Sequence, residues 1–481
     1  MDQKILFVGA EIMPFAATGG LGDVMGSLPA ALAERNGGAD YPVRCVMPLY
    51  DAIPEKWRSA MTKEIEFYVP LAWRNQYCGV WSLVKDGVKY YFIDNEYYFK
   101  RGGVLYGQYD DGERYAYFCM AVLAMMERLG WYPDILHAND WQSALSVVYL
   151  KTVFRYAPYY DIKAIFTIHN IEYQGKYGFE ILGDVFALSE REKPIVEYDG
   201  CINLMKGAIV CADRVTTVSP RYAKEIRDPA FAHGLEGIIN ANSAKVSGIL
   251  NGIDTAFYDP QTDPVIPSHY TAKLFANKKR CRTALRDKLN LPDDPDTPLL
   301  FMITRLASHK GLEIVEPMLE GLVAEKNVQF VVLGKGEARF EQYFRYLEGK
   351  YPDRVRALIA YDRNLSKEIY AAGDIFIMPS KSEPCGLAQM IASRYGALPV
   401  VRETGGLADS IAPFHEEEGK LVGNGVTFAN YDPSDLYYAV TRALAIWEDK
   451  KTRGTAIRLA MGTDFSWKKS AERYESLYLG L

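Results

Sequence analysis

Short apolar runs alternate with longer amphipathic stretches along the whole chain. The apolar runs are rich in strand-forming residues and occupy residues 5–8, 43–47, 89–93, 164–168 and 214–218, and then 299–303, 329–333, 356–360 and 374–378. Strands that take turns with helices are typical of parallel sheets that carry helices on both faces. The pattern therefore predicts an α/β fold built from doubly wound parallel sheets.

The chain is long enough for more than one domain. Its 481 residues exceed what one compact core usually holds. A polar segment at 240–245 precedes a new series of strands and helices, so we predict an N-terminal domain over 1–246 and a C-terminal domain over 247–463. Residues 464–481 are predicted to form an amphipathic helix, because four residues recur at helical spacing: Ala471, Tyr474, Leu477 and Tyr478.

The composition argues against two classes of binding partner, nucleic acids and membranes. Hydrophobic residues make up 49% and charged residues 24%, as in ordinary globular proteins, and the net charge of -6 argues against a nucleic-acid-binding surface, which is usually basic. No apolar run approaches the roughly 20 residues that span a bilayer. The N-terminus shows no secretion signal. We therefore expect a cytoplasmic protein without a membrane partner; the oligomeric state is not readable.

The distribution of cysteine and histidine gives no sign of a metal site. Seven cysteines are scattered without a Cys-x-x-Cys pair, which favours reduced thiols over a disulfide framework or a zinc site. No histidine cluster has the spacing of metal ligands. We expect no metal and no cofactor, with basic side chains and helix ends neutralising any anionic substrate.

One four-residue segment occurs twice. The first glycine segment is Thr18, Gly19, Gly20 and Leu21, followed by Asp23; the second glycine segment is Thr404, Gly405, Gly406 and Leu407, followed by Asp409. A glycine pair after a strand lets the backbone approach a ligand, and the helix that follows presents free N–H groups and a positive dipole end to an anion. We therefore expect both halves of the chain to contact one charged substrate.

Glu383 comes shortly after the apolar run that ends at residue 380. Open α/β sheets bind ligands at the carboxyl ends of their strands, so the sequence places this carboxylate at a ligand-binding edge. Cys385, Gly386 and Leu387 are predicted to open the next helix. Capping of that helix by the Glu383 carboxylate is the alternative interpretation.

Arg305 and Lys310 follow the strand predicted at 299–303. Both side chains can donate to phosphate oxygens, Arg305 as a planar fork and Lys310 as a compact charge. A pair of solvated basic residues at the start of a helix is the alternative interpretation, because surface lysine and arginine are common.

Further segments occur along the chain in a specific order. They are Glu11-Ile12-Met13-Pro14-Phe15, His137-Ala138-Asn139-Asp140-Trp141, Thr167-Ile168-His169-Asn170, Thr217-Val218-Ser219-Pro220, Leu250-Asn251-Gly252-Ile253-Asp254, Thr304-Arg305-Leu306 and Asp464-Phe465-Ser466-Trp467. Together with the glycine segments and Glu383, they make the chain resemble, nearly end to end, the glycogen and starch synthases of the glucan-synthase glycosyltransferase family. The resemblance implies a GT-B fold, in which two Rossmann-like domains face each other across a cleft and the C-terminal helix crosses back to the first domain.

The same resemblance implies an activity and its catalytic residues. The activity is that of a retaining glucosyltransferase of glycogen biosynthesis, which moves glucose from ADP-glucose to the non-reducing end of an α-1,4-glucan. The positions that match the family's catalytic residues are Glu383 and His169, which hold the transferred glucose, Arg305 and Lys310, which hold the diphosphate, and Asp140, which lines the glucose pocket.

The resemblance also implies a set of donor-binding residues. Tyr361 matches a tyrosine that stacks on the nucleobase, and the full set is Thr18, Gly19, Gly20, Asp23, Asn170, Asn251, Tyr361, Cys385, Gly386, Leu387, Thr404, Gly405 and Gly406. Turn and cap roles are the alternative for the asparagines and aspartates. Because the set draws on both halves, we expect a competent site only when the domains close over the nucleotide.

Two positions depart from the family pattern. Ala17 stands where most relatives have a lysine that contributes to binding the donor phosphates, which leaves the nucleotide preference open between ADP-glucose and UDP-glucose. Asn139 stands where many relatives have a second histidine, and we interpret this change as conservative because both side chains are short and form hydrogen bonds.

Three other functions compete with this interpretation. Residues 20–26 resemble a loose dinucleotide fingerprint, but the first glycine of a true fingerprint follows its strand almost directly, and here Gly20 does not. A glucan phosphorylase would need a lysine segment that carries pyridoxal phosphate, and none is recognisable. A non-catalytic glucan-binding relative would have little need for the basic pair Arg305 and Lys310.

Overall fold

The computed structural model describes residues 3–36 and 40–481. The chain forms two compact units: unit 1 consists of Met1–Asn251 with Trp467–Leu481, and unit 2 consists of Gly252–Ser466. The chain leaves unit 1 at Asn251 rather than at residue 246, because residues Val246–Gly248 form a strand that pairs with Arg214–Thr217 in the sheet of unit 1.

The regular elements follow one another in chain order. The strands are β1 (Ile5–Val8), β2 (Val43–Pro48), β3 (Thr62–Leu71), β4 (Arg74–Lys85), β5 (Val88–Asp94), β6 (Ile135–Asn139), β7 (Lys163–Ile168), β8 (Lys176–Tyr177), β9 (Glu197–Tyr198), β10 (Cys201–Asn203), β11 (Arg214–Thr217), β12 (Val246–Gly248), β13 (Leu299–Ile303), β14 (Gln329–Leu333), β15 (Val355–Leu358), β16 (Ile375–Met378), β17 (Leu398–Arg402), β18 (His415–Glu417), β19 (Lys420–Val422) and β20 (Val426–Phe428).

The helices surround these strands. They are α1 (Gly20–Asn36), α2 (Glu55–Arg58), α3 (Glu96–Phe99), α4 (Asp111–Leu129), α5 (Trp141–Thr152), α6 (Lys193–Val196), α7 (Leu204–Cys211), α8 (Pro220–Glu225), α9 (Pro229–Ala232), α10 (Glu236–Ala241), α11 (Lys278–Leu289), α12 (Leu312–Glu325), α13 (Ala338–Lys350), α14 (Arg363–Ala372), α15 (Ala388–Arg394), α16 (Gly405–Ser410), α17 (Pro433–Glu448), α18 (Lys450–Gly462) and α19 (Trp467–Leu479). Short 3₁₀ turns occur at Tyr159–Asp161, Phe179–Ile181, Ser243–Lys245 and Ser308–Lys310.

Unit 1 contains a nine-stranded sheet in the order β12-β11-β7-β6-β1-β2-β5-β4-β3. The strands from β12 to β5 pair in parallel, whereas β4 pairs antiparallel with both β5 and β3. All four residues of β1 are buried, but most of β3 is exposed or half-buried. The predicted parallel sheet is therefore present and is extended at one edge by an antiparallel hairpin, which the apolar pattern did not predict because a hairpin with one solvated face needs no continuous apolar run.

Unit 2 contains a six-stranded parallel sheet in the order β15-β14-β13-β16-β17-β20. Its two central strands, β13 and β16, are continuous apolar runs, as expected where helices cover both faces of a sheet. The core on one face joins strand residues such as Met302 and Val332 to α12 and α17 through Leu319 and Val440. The doubly wound arrangement that the alternating pattern predicts is thus present in this unit.

The strand order of each sheet reverses at one point. In unit 1 the chain adds β2 on one side of β1 and β6 on the other, and in unit 2 it adds β14 on one side of β13 and β16 on the other. At such a point the connections leave in opposite directions and open a crevice at the carboxyl ends of the two central strands. The segments that follow β1 and β6, and those that follow β13 and β16, are therefore where each unit can bind a ligand.

The C-terminal helix α19 belongs to unit 1, where its buried face lies next to the sheet. The Tyr478 hydroxyl is 2.8 Å from Nδ1 of His137, and Arg35 of α1 forms an ion pair with Glu475 at 2.7 Å. Within the described residues, every helix is too short or too polar to cross a bilayer.

Candidate active site

In unit 1 the first glycine segment is bound to the side chain of Glu11. This residue follows β1 and is only 4% exposed. Its carboxylate accepts hydrogen bonds from the Thr18 amide at 2.6 Å, the Thr18 hydroxyl at 2.7 Å and the Gly19 amide at 3.1 Å. Two backbone donors that we expected to face an anionic substrate therefore already serve a carboxylate of the chain.

The other side of the first glycine segment is open. A Cβ atom added to Gly19 or Gly20 would meet no atom within 4 Å. The methyl group of Ala17 points toward Gly22, where an added Cβ would lie 2.2 Å from it, and Asp23 is half-buried in the first turn of α1. A ligand can therefore approach the exposed backbone of this segment without displacing a side chain.

Asp140 follows β6 in a backbone conformation that is nearly reserved for glycine, with φ 57° and ψ 175°. Such conformations cost on the order of 1–3 kcal/mol and persist where the surrounding structure demands them. The carboxylate does not cap its own helix; Oδ1 accepts from the amides of His169 at 2.8 Å and Asn170 at 3.4 Å. Burial raises the pKa of Asp140 to about 7, and the charge of Glu11 acts in the same direction.

His169 follows β7 and is neutral at physiological pH. Burial lowers the pKa of its imidazole to about 3. Its Nε2 atom lies 2.9 Å from Oδ1 of Asn139, at the end of β6. Unit 1 thus brings together two of the predicted catalytic residues, since Asp140 holds the backbone of His169 and Asn139 contacts its ring.

The two asparagines that were predicted to bind the donor, Asn170 and Asn251, have different surroundings. The side chain of Asn170 forms a local turn, because its oxygen accepts a hydrogen bond from the Glu172 amide at 3.0 Å. Asn251 is buried, and its side-chain oxygen has no hydrogen-bond partner among the described residues. The side chain of Asn170 therefore forms a turn. The side-chain oxygen of Asn251 forms no such contact with the described residues, so the alternative interpretation as a turn residue does not describe it.

In unit 2 a lysine and a glutamate from the two central strands form an ion pair. Lys310 ends the 3₁₀ turn after β13, and its Nζ lies 2.7 Å from Oε2 of Glu383, which follows β16. The Ser380 hydroxyl donates to the same oxygen at 3.0 Å, and Glu383 is 7% exposed. Two residues with separate predicted tasks thus form one ion pair at the reversal point of the sheet.

Backbone contacts join the turn that carries Lys310 to the loop that carries Glu383. Gly311 has φ 80°, and a Cβ atom added there would lie 2.0 Å from the Pro379 carbonyl oxygen. The amide of Lys381 donates to the carbonyl oxygen of His309 at 2.9 Å. The glycine after Lys310 therefore permits the close approach that places the ammonium group at the carboxylate.

Arg305 is exposed in the segment between β13 and Lys310. Its Nη2 lies 3.4 Å from Nε2 of His309. Over residues 3–36 and 40–481, no carboxylate is within ion-pair distance of the guanidinium group. The guanidinium of Arg305 therefore has no competing carboxylate in that part of the chain and can bind an anionic ligand.

The second glycine segment packs against the backbone of the Glu383 loop. A Cβ atom added to Gly405, which has φ 45°, would lie 1.9 Å from the Glu383 carbonyl oxygen, and one added to Gly406 would lie 2.1 Å from the Cys385 carbonyl oxygen. The Gly406 amide also donates to the carbonyls of Glu383 at 3.1 Å and Pro384 at 3.2 Å. Both glycines, and the buried Thr404 before them, therefore shape the loop that carries the glutamate.

The remaining predicted donor residues lie in loops of unit 2. Tyr361 follows β15, its side chain is 92% exposed, and its ring stacks on no other ring in the described part of the chain. Cys385 is buried, and Gly386 and Leu387 are half-buried before α15, which begins at Ala388. Tyr361 is therefore an open aromatic surface, whereas Cys385 is a packed thiol.

Three residues of these sites had no role in the sequence-based prediction. Glu11 begins one of the segments that carry the family resemblance, and Ser380 ends the apolar run before Glu383. Their spacing does not show which groups their side chains contact. Asn139 was treated only as a conservative change. Glu11 and Ser380 act on residues of their own loops, through turn geometry that the residue types alone do not show. Asn139 contacts a residue that follows another strand, and a single sequence carries no signal for such a contact.

No metal site is visible in residues 3–36 and 40–481, where no group of three or more His, Cys, Asp or Glu side chains could hold an ion. All seven cysteines are free thiols.

Family models match most of the chain. Residues 4–241 match the model described as starch synthase catalytic domain, and residues 282–459 match the model described as glycosyl transferases group 1. Each match falls within one of the two units.

Full-length relatives are bacterial proteins named glycogen synthase. The chain is 44% identical over 479 residues to the protein of Anoxybacillus flavithermus, covering 99% of this chain and 97% of the relative. It is 45% identical over 479 residues to the protein of Lactobacillus acidophilus, with 99% of each chain covered.

Solved structures agree with these sequence matches. The catalytic domain of starch synthase IV from Arabidopsis thaliana, bound to ADP and acarbose, superposes with a TM-score of 0.90 at 34% identity and covers 100% of this chain and 99% of its own. A sucrose-phosphate synthase from Thermosynechococcus elongatus, at 18% identity and a TM-score of 0.62 over 99% of this chain and 98% of its own, shares the fold. The chain is therefore a glycosyltransferase with the GT-B fold and belongs to the glycogen and starch synthase family.

Proposed function

We propose that the protein transfers glucose from ADP-glucose to the non-reducing end of an α-1,4-glucan with retention of the α configuration. The observation that carries the proposal is the Lys310 and Glu383 ion pair at the reversal point of the unit 2 sheet, together with the exposed guanidinium of Arg305 in the segment between β13 and Lys310. Cations fixed in a partly buried site stabilise the negative charge that develops on a departing diphosphate. The full-length relatives named glycogen synthase support the choice of glucan as acceptor.

Each remaining group has a task in this proposal. The Glu383 carboxylate accepts hydrogen bonds from hydroxyl groups of the transferred glucose and favours the positive charge that develops on its anomeric carbon. In unit 1 His169 is the residue that binds a sugar hydroxyl group, and Asp140 keeps the His169 backbone in place. The exposed ring of Tyr361 offers its face to the nucleobase.

Steady-state kinetics with glycogen as acceptor test the proposal. We expect kcat/KM to be higher with ADP-glucose than with UDP-glucose, and NMR of the product to show new α-1,4 linkages. The second candidate is the same transfer from UDP-glucose, which Ala17 keeps open because no lysine stands before the first glycine segment. Absence of transfer from both donors would overturn the enzymatic proposal and favour a glucan-binding protein.

We also propose that transfer needs no metal ion. Lys310 and Arg305 supply positive charge where a divalent cation would otherwise neutralise the diphosphate. We expect the purified enzyme to keep its turnover in EDTA, measured as glucose incorporated into glycogen. Loss of turnover in the chelator and its return on addition of Mg²⁺ or Mn²⁺ would contradict this prediction.

A further inference from the structure

Asn139 has a fixed orientation at the end of β6. Its side chain is buried, and its amide nitrogen donates to the carbonyl oxygens of Val8 at 3.3 Å and His137 at 3.1 Å. An amide nitrogen carries two hydrogens, and these two carbonyls take both. A rotation of the amide by 180° would place its oxygen against two carbonyl oxygens, so the oxygen must point the other way.

That oxygen contacts the ring of His169. The Nε2 atom of His169 lies 2.9 Å from Oδ1 of Asn139. An amide oxygen can only accept a hydrogen bond, so Nε2 must carry the hydrogen. Because burial keeps the ring neutral by lowering its pKa to about 3, the second ring nitrogen, Nδ1, carries a lone pair. Among residues 3–36 and 40–481, no group forms a hydrogen bond with this nitrogen.

His137, two residues before Asn139, shows what the amide adds. Both ring nitrogens of this buried histidine contact hydroxyl groups, Nδ1 with Tyr478 at 2.8 Å and Nε2 with Thr167 at 2.6 Å. A hydroxyl group donates or accepts equally well, so these partners allow either tautomer. A carbonyl partner allows only one, and His169 has such a partner.

We propose that Asn139 is a positioning residue that fixes the Nε2–H tautomer of His169, so that Nδ1 accepts a hydrogen bond from a hydroxyl group of the transferred sugar. The sugar-binding half of this proposal rests on the proposed function, whereas the tautomer is a property of the protein alone. Asp140 completes the arrangement, because it fixes the His169 backbone while Asn139 fixes the ring. In the absence of the Asn139 side chain, the ring hydrogen of His169 would be shared between Nε2 and Nδ1. Molecules that carry it on Nδ1 could not accept a hydrogen bond from the sugar hydroxyl there.

The tautomer can be read directly. The full-length enzyme is labelled with ¹⁵N-histidine, the His169 signals are assigned from a His169→Gln variant, and long-range ¹H–¹⁵N spectra distinguish a protonated from an unprotonated ring nitrogen. We expect a protonated Nε2 and an unprotonated Nδ1 in the wild type, and a mixture in Asn139→Leu. A protonated Nδ1 in the wild type, or an unchanged His169 spectrum in Asn139→Leu, would overturn the proposal.

Kinetics then test the sugar contact. For Asn139→Leu we expect kcat/KM for the sugar nucleotide to fall about tenfold or more, the size of one lost hydrogen bond in the transition state, while the inhibition constant of ADP alone changes less than about twofold. General damage to the site would weaken ADP as well. An unchanged kcat/KM, or an equal loss for ADP, would count against the proposal.

Ser143→Ala is the matched control. The Ser143 hydroxyl donates to the backbone oxygen of Asn139 at 2.7 Å and accepts from the backbone N–H of Asn139 at 2.6 Å. It forms no hydrogen bond with the Asn139 side chain or with His169. We expect this variant to keep the wild-type tautomer and kcat/KM; an effect as large as that of Asn139→Leu would assign the loss to the local backbone. An enzyme that transfers glucose from neither nucleotide would overturn the proposed function and the sugar contact together, and the spectra would still decide the tautomer.

Discussion

The two glycine segments share the sequence Thr-Gly-Gly-Leu and both open a helix, but their surroundings are opposite. In unit 1, Gly19 and Gly20 are exposed, and an added Cβ atom would meet nothing within 4 Å. In unit 2, Gly405 and Gly406 are buried against carbonyl oxygens of the chain. The first pair therefore leaves room for a ligand, whereas the second pair leaves room for the Glu383 loop. An identical motif does not establish an identical task.

The carboxylates next to the two segments differ in the same way. Glu11 is held by amide and hydroxyl donors of the first segment, and no cation lies within ion-pair distance of it among the described residues. Glu383 is held by the ammonium group of Lys310. The buried carboxylate beside the first glycine segment is thus stabilised by hydrogen-bond donors of that segment, whereas the one beside the second segment is stabilised by a fixed positive charge.

The largest effect is expected at the ion pair of unit 2. Lys310→Ala and Glu383→Ala should each lower kcat at least about a hundredfold, because each removes a preorganised contact to the transition state. Lys310→Ala should also lower the free energy of unfolding by about 3 kcal/mol, since it leaves the Glu383 carboxylate buried without a cation. Initial rates of glucan synthesis and urea unfolding measure the two effects.

A double variant separates stability from catalysis at this pair. Lys310→Ala combined with Glu383→Gln removes the unpaired charge, so stability should recover while turnover stays low. Near-normal glucan synthesis by Glu383→Ala would contradict the assignment of the pair to the active site.

The glycine comparison can be tested with matched substitutions. Gly406→Ala should lower the free energy of unfolding by about 2–4 kcal/mol, because its Cβ would lie 2.1 Å from a backbone carbonyl oxygen. Gly20→Ala at the corresponding position of the first segment should change stability by less than about 1 kcal/mol, since alanine is a better helix former and the space is open. Equal losses in urea unfolding would show that the two segments do not differ as described.

A pH-dependent effect is expected at Asp140. Its pKa of about 7 in the folded protein exceeds the ordinary aspartate value of 3.8, so its contribution to stability is fully present below about pH 4 and is lost as the pH rises through 7. Asp140→Asn cannot ionise and should gain about 3 kcal/mol relative to the wild type between pH 5 and pH 8.5, because wild-type stability falls by about 1.4 kcal/mol for each pH unit up to the folded pKa. Differences in Tm at the two pH values measure this gain; a constant difference would contradict it.

The smallest effect is expected for Glu11→Gln. The amide keeps one acceptor for the first glycine segment but loses the charge-assisted part of these hydrogen bonds, which should cost about 1 kcal/mol of stability. Because the Glu11 charge helps to raise the pKa of Asp140, the variant should also reduce the pH dependence of the Asp140→Asn effect. A pH dependence that is unchanged in the Glu11→Gln background would show that the two acids are not coupled.

Regular elements could be predicted closely where one strand carries a continuous apolar run. The strands at 5–8, 299–303 and 329–333 have the predicted bounds. The hairpin of β3 and β4 was not predicted. Much of β3 is exposed, so β3 has no continuous apolar run, and its position in the sheet depends on pairing with β4. Lys310, Glu383 and His169 were predicted to follow strands, since the carboxyl end of a strand is where its apolar run stops. Asp140 was identified only through the family resemblance, because β6 before it was not among the predicted strands.

The sequence by itself determined the α/β class, most of the central strands and the types of residue that stand at their ends, because these depend on local periodicity and on the order of segments. Only the tertiary structure decided which of those residues touch. The ion pair of Lys310 with Glu383 and the contact of Asn139 with His169 each join residues at the ends of different strands. Their distances depend on how sheets order their strands and how turns pack, and that information is distributed over the whole chain.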